Sequence, residues 1–290
     1  LVGFISFGSL IYLHELQSSN FPRSYVFSGN KTYSVPELIQ MLSIQPQNVE
    51  DATNPFILTI DDAELMLNNV IDKFEPDSYQ PPNGERKLRC TGAAVHLATM
   101  LIQSLYPQTG GQILVLTSGP ITKGPGTMAP LQKSEPVRQH ADIEKGKAAL
   151  TTSAITFFND LGSLASEHNI VINYIAAAFE ETGLHEIEAC ILKTGGWLMS
   201  CESWAEDNIS QTLKKYFTEI FPVMGSDCSI SLNCTKNFKI SGCIGACTSM
   251  NRMSDVVSEK SVGNGGTTEW KISGILPSTT LAFFIEIAAS

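Results

Sequence analysis

The chain has 290 residues, of which 43% are hydrophobic and only 17% charged, enough apolar material for one large domain or two smaller ones and too much for a disordered chain. Its formal net charge of −10 argues against a surface built for nucleic acid. Five of the 19 basic and five of the 29 acidic residues lie from Pro222 onward, which leaves 14 against 24 before it, and the eight carboxylates from Glu50 to Asp77 face a single Lys73.

In chain order, LVGFISF and IYLHEL are β-like runs joined at FGS and predict a strand pair. SVPELIQMLSI has the Ser cap, early Pro and apolar spacing of a short helix. A polar, proline-dotted stretch runs on to about Gly84 and contains IDDAELMLNNVIDKF, where Ile60, Leu65, Leu67, Val70, Ile71 and Phe74 predict the apolar face of an amphipathic helix. TGAAVHLATMLIQSLYP reads as a buried helix stopped by Pro107, QILVLTSG as a buried strand, and the segment from Asp142 to Asn169 as a long helical stretch. IVINYIAAAF is another strand, ETGLHEIEACILKTGG a helix with a glycine stop, and WLMSC a strand. This alternation predicts an α/β fold with a mainly parallel sheet and helices on both faces.

After AEDNISQTLKKYFTEIF the rhythm changes. CSISLNCTKNFKISGCIGA, TTEWKISGIL and TLAFFIEIA alternate apolar and polar residues between SG, GNGG and PS, the pattern of an antiparallel sandwich or barrel. The expected organisation is therefore a domain over residues 1–221 and a partial β-sandwich over 222–290, completed by further chain. With no methionine at Leu1, the start is expected to lie within a longer polypeptide. No apolar stretch reaches the length of a bilayer span, so a soluble or peripheral protein is expected.

The stretch with most chemical promise is the glycine-rich loop after QILVLT, from Ser118 to Gly146. Gly119 and Gly124 have the spacing of a phosphate-binding loop, but Pro125 stands where the lysine belongs and Gly126 where the magnesium-binding hydroxyl belongs. FISFG and ILVLTSG resemble the von Willebrand A fold, whose metal-binding members carry an aspartate at the position of Ser118; losing that carboxylate weakens a divalent site. Ser118 near His140 lacks the GxSxG turn of a hydrolase nucleophile. His14, His96, His140, His168 and His185 are separated in sequence, and His96 within an apolar helix reads as a satisfied core histidine.

Seven cysteines without CxxC pairs fit a reducing compartment, and the CxxxC spacing of Cys243 and Cys247 lacks the ligands of a zinc knuckle. The sequons at Asn30, Asn208 and Asn233 accompany no signal peptide and are expected to carry no glycan. Arg86, Lys87 and Arg89 before a helix, and Lys123, Lys133 and Arg138 in the loop, read either as solvated charge or as a surface for an outside partner.

An ordered series of segments carries a resemblance: LVGFISFGSLIYLHEL, SYVFSG, RKLRCTGAAVHLA, SGPITKGPG, PVRQHADIEKG, ETGLHEIEACILKTGGWLMSCESW, FKISGCIGAC and GNGGTTEWKISGILPSTTLAFFIEIA. Together they resemble the GTPase-activating inner-coat subunit of COPII, the Sec-twenty-three type, over nearly the whole chain, least in the acidic stretch from Gln45 to Gln80. The cargo-adaptor paralogue shares the architecture, but GPITKGPG and EWKISGILPSTTLAFFIE look more like the GTPase-activating branch.

The resemblance implies a von Willebrand A-like trunk followed by part of a β-sandwich, in a cytoplasmic protein peripheral on endoplasmic reticulum membranes and COPII vesicles. Its implied partners are a Sar-type small GTPase, the paralogous cargo-adaptor subunit and outer-coat subunits, with no nucleic acid. It also implies that the catalytic arginine and a four-cysteine zinc module lie in domains outside this chain, which itself carries no catalytic residue and no cofactor. Lys123, Arg138 and Asp142 match family positions in or beside the loop, and with Gly124, Pro125 and Gly126 they are expected to contribute to a partner surface. The family's membrane face is basic whereas this chain is net acidic, so that face is expected either from other domains or from segregated charge.

Overall fold

Ile5–Phe7 (β1) and Leu10–Glu15 (β2) form the antiparallel pair expected from the sequence, and Arg23–Ser28 (β3) adds to the far side of β2, giving the sheet order β1-β2-β3. The computed structural model describes residues 1–17, 21–47, 54–205, 207–221 and 224–288. The boundary expected at Pro222 and residues 48–53 of the acidic stretch lie outside them.

Helix α1 (Val35–Leu42) starts where the sequence says it should. Ser34 and Glu37 form a reciprocal capping box, with the Ser34 N–H and hydroxyl both donating to Glu37 Oε2 at 2.8 Å. Leu38 and Leu42 are buried, and α1 packs against α3 (Thr91–Leu105), whose buried positions run round its circumference as a core helix requires.

Helix α2 (Ile60–Asp72) is capped by Thr59, but only Val70 and, in part, Leu67 of its expected apolar face turn inward. Ala63, Met66 and Val70 are buried, whereas Ile60, Leu65, Ile71 and Phe74 are more than half exposed. The inner face is set where Ala63 packs with Leu16 and Leu58 in a small apolar cluster.

Contacts divide the chain into two compact units. The first comprises Leu1–Gly110, Thr117–Phe158 and Glu180–Ile187; the second comprises Gly111–Leu116, Asn159–Phe179 and Glu188–Ser290. The second unit holds, apart from Thr117, the sheet β4-β5-β6, made of Gly111–Thr117 (β4), Ile170–Ala177 (β5) and Leu198–Cys201 (β6). β5 and β6 run parallel, from Tyr174↔Leu198 to Ala177↔Cys201. All eight β5 residues are buried, so both faces of the sheet are covered there. β4 was expected to be buried, but it is an edge strand of this sheet in which Leu116 is 47% exposed.

The long helical stretch is interrupted. α4 (His140–Glu144) ends at Lys145, Gly146 takes φ +64°, and α5 (Ala149–Glu167) starts afresh, because a left-handed residue cannot continue a right-handed helix. α6 (Leu184–Thr194) stops at Gly195 as expected, and α7 (Asp207–Lys215) runs into a π-helical turn over Tyr216–Ile220. Tyr216 from that turn donates its hydroxyl to Gln112 at 2.6 Å and accepts from Asn173 of β5 at 3.1 Å.

Beyond it come β7 (Gly225–Ser231), β8 (Phe238–Ile244), β9 (Thr248–Ser249), β10 (Glu269–Ile275) and β11 (Ala282–Ile287). They pair antiparallel as β7-β10-β9 and β11-β8, without closing into a barrel among the described residues. Ile240, Cys243, Cys247, Trp270 and Ile272 form their core. Cys243 and Cys247 are therefore packing residues, and burial pushes the Cys243 thiol up to about 12.

Candidate functional site

The loop after β4 is tied to the segment that leads into α3. The N–H groups of Thr122 and Lys123 both donate to the Arg89 carbonyl at 3.2 Å, the Arg89 N–H donates to Thr122 Oγ1 at 2.9 Å, and that hydroxyl donates to the Lys87 carbonyl at 2.7 Å. Gly124 has φ +76°, and a Cβ there would strike the carbonyl of Gly29. The Pro125 carbonyl lies against Gly92, and Gly126 is buried against Phe157 and Phe158. Prolines and glycines thus lay the loop down as close-packed backbone.

Lys123 is half-buried, and its Nζ donates to the Ser9 carbonyl at 2.7 Å. Beside it, Asp77 accepts from the Ser9 N–H, from the Ser9 hydroxyl at 3.0 Å and from the Tyr79 N–H at 2.9 Å. Burial works to raise the Asp77 pKa, but these hydrogen bonds and the Lys123 charge bring it below the ordinary carboxylate range. The neighbouring Cys90 thiol is pushed up to about 11 by burial, which suppresses its thiolate.

Two arginines, expected to be solvated or partner-facing, are internal. Arg86 is 5% exposed; its Nε donates to Glu180 at 2.5 Å and its Nη1 to the carbonyls of Pro130, Gln132 and Glu135 at 3.0, 2.7 and 3.1 Å. Arg138 makes a bidentate pair with Glu186, both bonds 2.8 Å, and lies 3.6 Å from Glu181. Glu186 is wholly buried. Burial opposes the Arg138 charge, yet the carboxylates outweigh it and hold its pKa above the ordinary value. These carboxylates escaped notice in the sequence, where only the density of acids in EETGLHE signalled them.

Of the remaining expected residues, Asp142 is the third residue of α4 and accepts the Gln139 N–H at 3.2 Å as a helix cap. His140 is exposed and pairs with Glu144 at 3.4 Å, four residues on. His96 was expected to be satisfied, but its Nδ1 has no hydrogen-bond partner among the described residues; its ring stacks on Phe157 and burial lowers its pKa. A contact unforeseen in the sequence joins Ser6 Oγ to His14 Nε2 at 2.8 Å. Ser6 is largely buried, burial lowers the His14 pKa, and no described carboxylate orients the ring. That pair lacks the third member of a nucleophile triad.

Among the described residues no three His, Cys, Asp or Glu side chains gather into a metal-binding group, and no helix is long and apolar enough to cross a membrane. Two depressions flank the loop. One, of about 130 Å³, is lined by Phe7, Asp77, Tyr79, Lys87 and Arg89; the other, of about 520 Å³, by Arg138, His140, Ile143, Glu181, Leu184 and His185.

What the fold and this site define together is a mixed α/β scaffold whose loop is held in shape from within, by its own cations and its own carboxylates. A family model described as the Sec23/Sec24 trunk domain matches residues 1–221, and the chain belongs to that family. Among solved structures, the human COPII-coat protein Sec24c is similar with a TM-score of 0.61 and 10% identity over 99% of this chain, a likeness of fold. The chain spans 33% of the length of that protein.

Proposed function

We propose that the chain is the trunk region of a COPII inner-coat subunit of the GTPase-activating type, working by presenting rigid surfaces to other proteins rather than by chemistry of its own. The supporting observation is the internal locking of the glycine-rich loop by the bonds of Lys123 to Ser9, Arg86 to Glu180 and Arg138 to Glu186. Family membership over residues 1–221 gives the locked loop its context. The motifs GPITKGPG and EWKISGILPSTTLAFFIE favour the GTPase-activating branch.

In this reading residues 1–221 form the trunk and 222–290 part of a β-sandwich, and Lys123, Gly124, Pro125, Gly126, Arg138 and Asp142 shape a partner surface. Because Lys123 and Arg138 bond inward, they contribute contour and rigidity rather than free charge. The partners are a Sar-type small GTPase and the other coat subunits, at the cytoplasmic face of the endoplasmic reticulum. The arginine that completes the GTPase site and the zinc module belong elsewhere in the full-length protein. A second reading is the cargo-adaptor branch, which shares the trunk family and the fold.

Calorimetric titration of the chain with a Sar-type GTPase, loaded with a non-hydrolysable GTP analogue, tests the first reading. Saturable heat is expected, together with accelerated GTP hydrolysis by the full-length protein. Absence of both, with sequence-selective capture of short export peptides on an array, would move the assignment to the adaptor branch.

A further inference from the structure

Helix α2 leaves an apolar stripe in solvent. Ile60, Leu67 and Ile71 fall within an arc of about 40° at 3.6 residues per turn. Phe74, just past the helix end, extends the line and meets Phe4 edge-on at 6.4 Å. Ile60, Ile71 and Phe74 are 57, 51 and 59% exposed, while Leu67 is partly buried and joins the stripe to the apolar cluster beneath. The stripe is about 20 Å long at 1.5 Å per residue.

One flank of the stripe is acidic. Asp61, Glu64 and Asp72 lie on the same side of α2, and Glu75 follows its end. Among the described residues none of these four carboxylates forms an ion pair. An apolar row bordered by uncompensated negative charge is complementary to a helix that carries the inverse pattern. Antiparallel self-pairing through the same face is opposed, because it would set carboxylates of one copy against those of the other.

We propose that the outer face of α2 docks a short amphipathic helix of a partner protein, with an apolar stripe of leucine or isoleucine bordered by lysine or arginine. This site is independent of the glycine-rich loop and of which coat branch the chain belongs to. Apolar burial supplies the affinity, and the acidic flank orients the incoming helix and makes the association salt-dependent.

The probe is a synthetic 18-residue helical peptide with leucines spaced three and four apart and lysines on both flanks, dye-labelled and titrated with the whole chain by fluorescence anisotropy. Saturable binding is expected, weakened about tenfold or more by scrambling the peptide at constant composition, by exchanging its lysines for glutamates, or by Ile71→Asp or Ile60→Asp in the chain. The double variant Glu64→Lys/Asp72→Lys alters no buried atom, so it tests the charge half even if an aspartate variant folds poorly; it should weaken binding and flatten the salt dependence. The proposal is overturned by absence of saturable binding, by equal binding of the scrambled peptide, or by indifference to all four substitutions. Sedimentation equilibrium showing a dimer that Ile71→Asp dissolves would assign the face to a second copy instead.

Discussion

Within the first compact unit, the loop around Gly124 and the helix α2 treat charge in opposite ways. At the loop, Arg86 and Arg138 are surrounded by carbonyls and carboxylates, Lys123 is hydrogen-bonded to Ser9, and Glu186 is wholly buried. On α2 the carboxylates form no ion pair among the described residues, and the apolar side chains Ile60 and Ile71 face water. The richest motif in the sequence therefore turns its cations inward, and a plain amphipathic segment offers the outward face.

The difference is measurable as sensitivity to substitution. Arg138→Met should cost the most, about 3–5 kcal/mol by chemical denaturation, because it leaves Glu186 buried and unpaired. The double variant Arg138→Met/Glu186→Leu should recover most of that loss; if it does not, the pair is doing something besides neutralising itself. Gly124→Ala comes next, at about 2–3 kcal/mol, since it forces a left-handed φ on alanine and drives its Cβ into the Gly29 carbonyl.

A smaller effect is set by pH. The pKa values of His14 and His96 are both lowered from 6.5 by burial, so below about pH 6.5 the unfolded chain binds protons that the folded chain refuses. Stability should be fully present above that pH and fall as the pH drops toward the folded pKa values, by at most about 1.4 kcal/mol per pH unit for each histidine. Urea midpoints at pH 7.5 and 5.5 measure the slope, and His96→Phe should reduce it. The smallest effect belongs to α2: Ile71→Gln should shift stability by no more than about 0.5 kcal/mol, because half of that side chain is already in water. A larger loss would mean that Ile71 packs inward and that the comparison between the two regions fails.

Much of the architecture was legible. The antiparallel pair β1-β2, the capped helix α1, the buried strand β5 and the glycine stop after α6 are where local pattern puts them, and the change to antiparallel strands follows AEDNISQTLKKYFTEIF as expected. Three readings failed for a common reason. The apolar face of α2, the burial of β4 and the exposure of Arg86 depend on what lies on top of each element, and residue type alone does not report that. The break at Gly146 is a milder case, since a single glycine inside a helical pattern is often tolerated and here is not.

The candidate site was half legible. Its rigid backbone follows from the conformational limits of proline and glycine, so GPITKGPG announces a fixed path without any knowledge of neighbours. The charges that lock the loop were not legible, because Arg86 finds Glu180 across 94 residues and Arg138 finds Glu186 across 48. Sequence by itself determined the order and kind of the elements, since caps, turns and periodicity act over a few residues. Only the tertiary structure decided which charges are internal and which face is left to water, because desolvation depends on neighbours brought close in space by the fold.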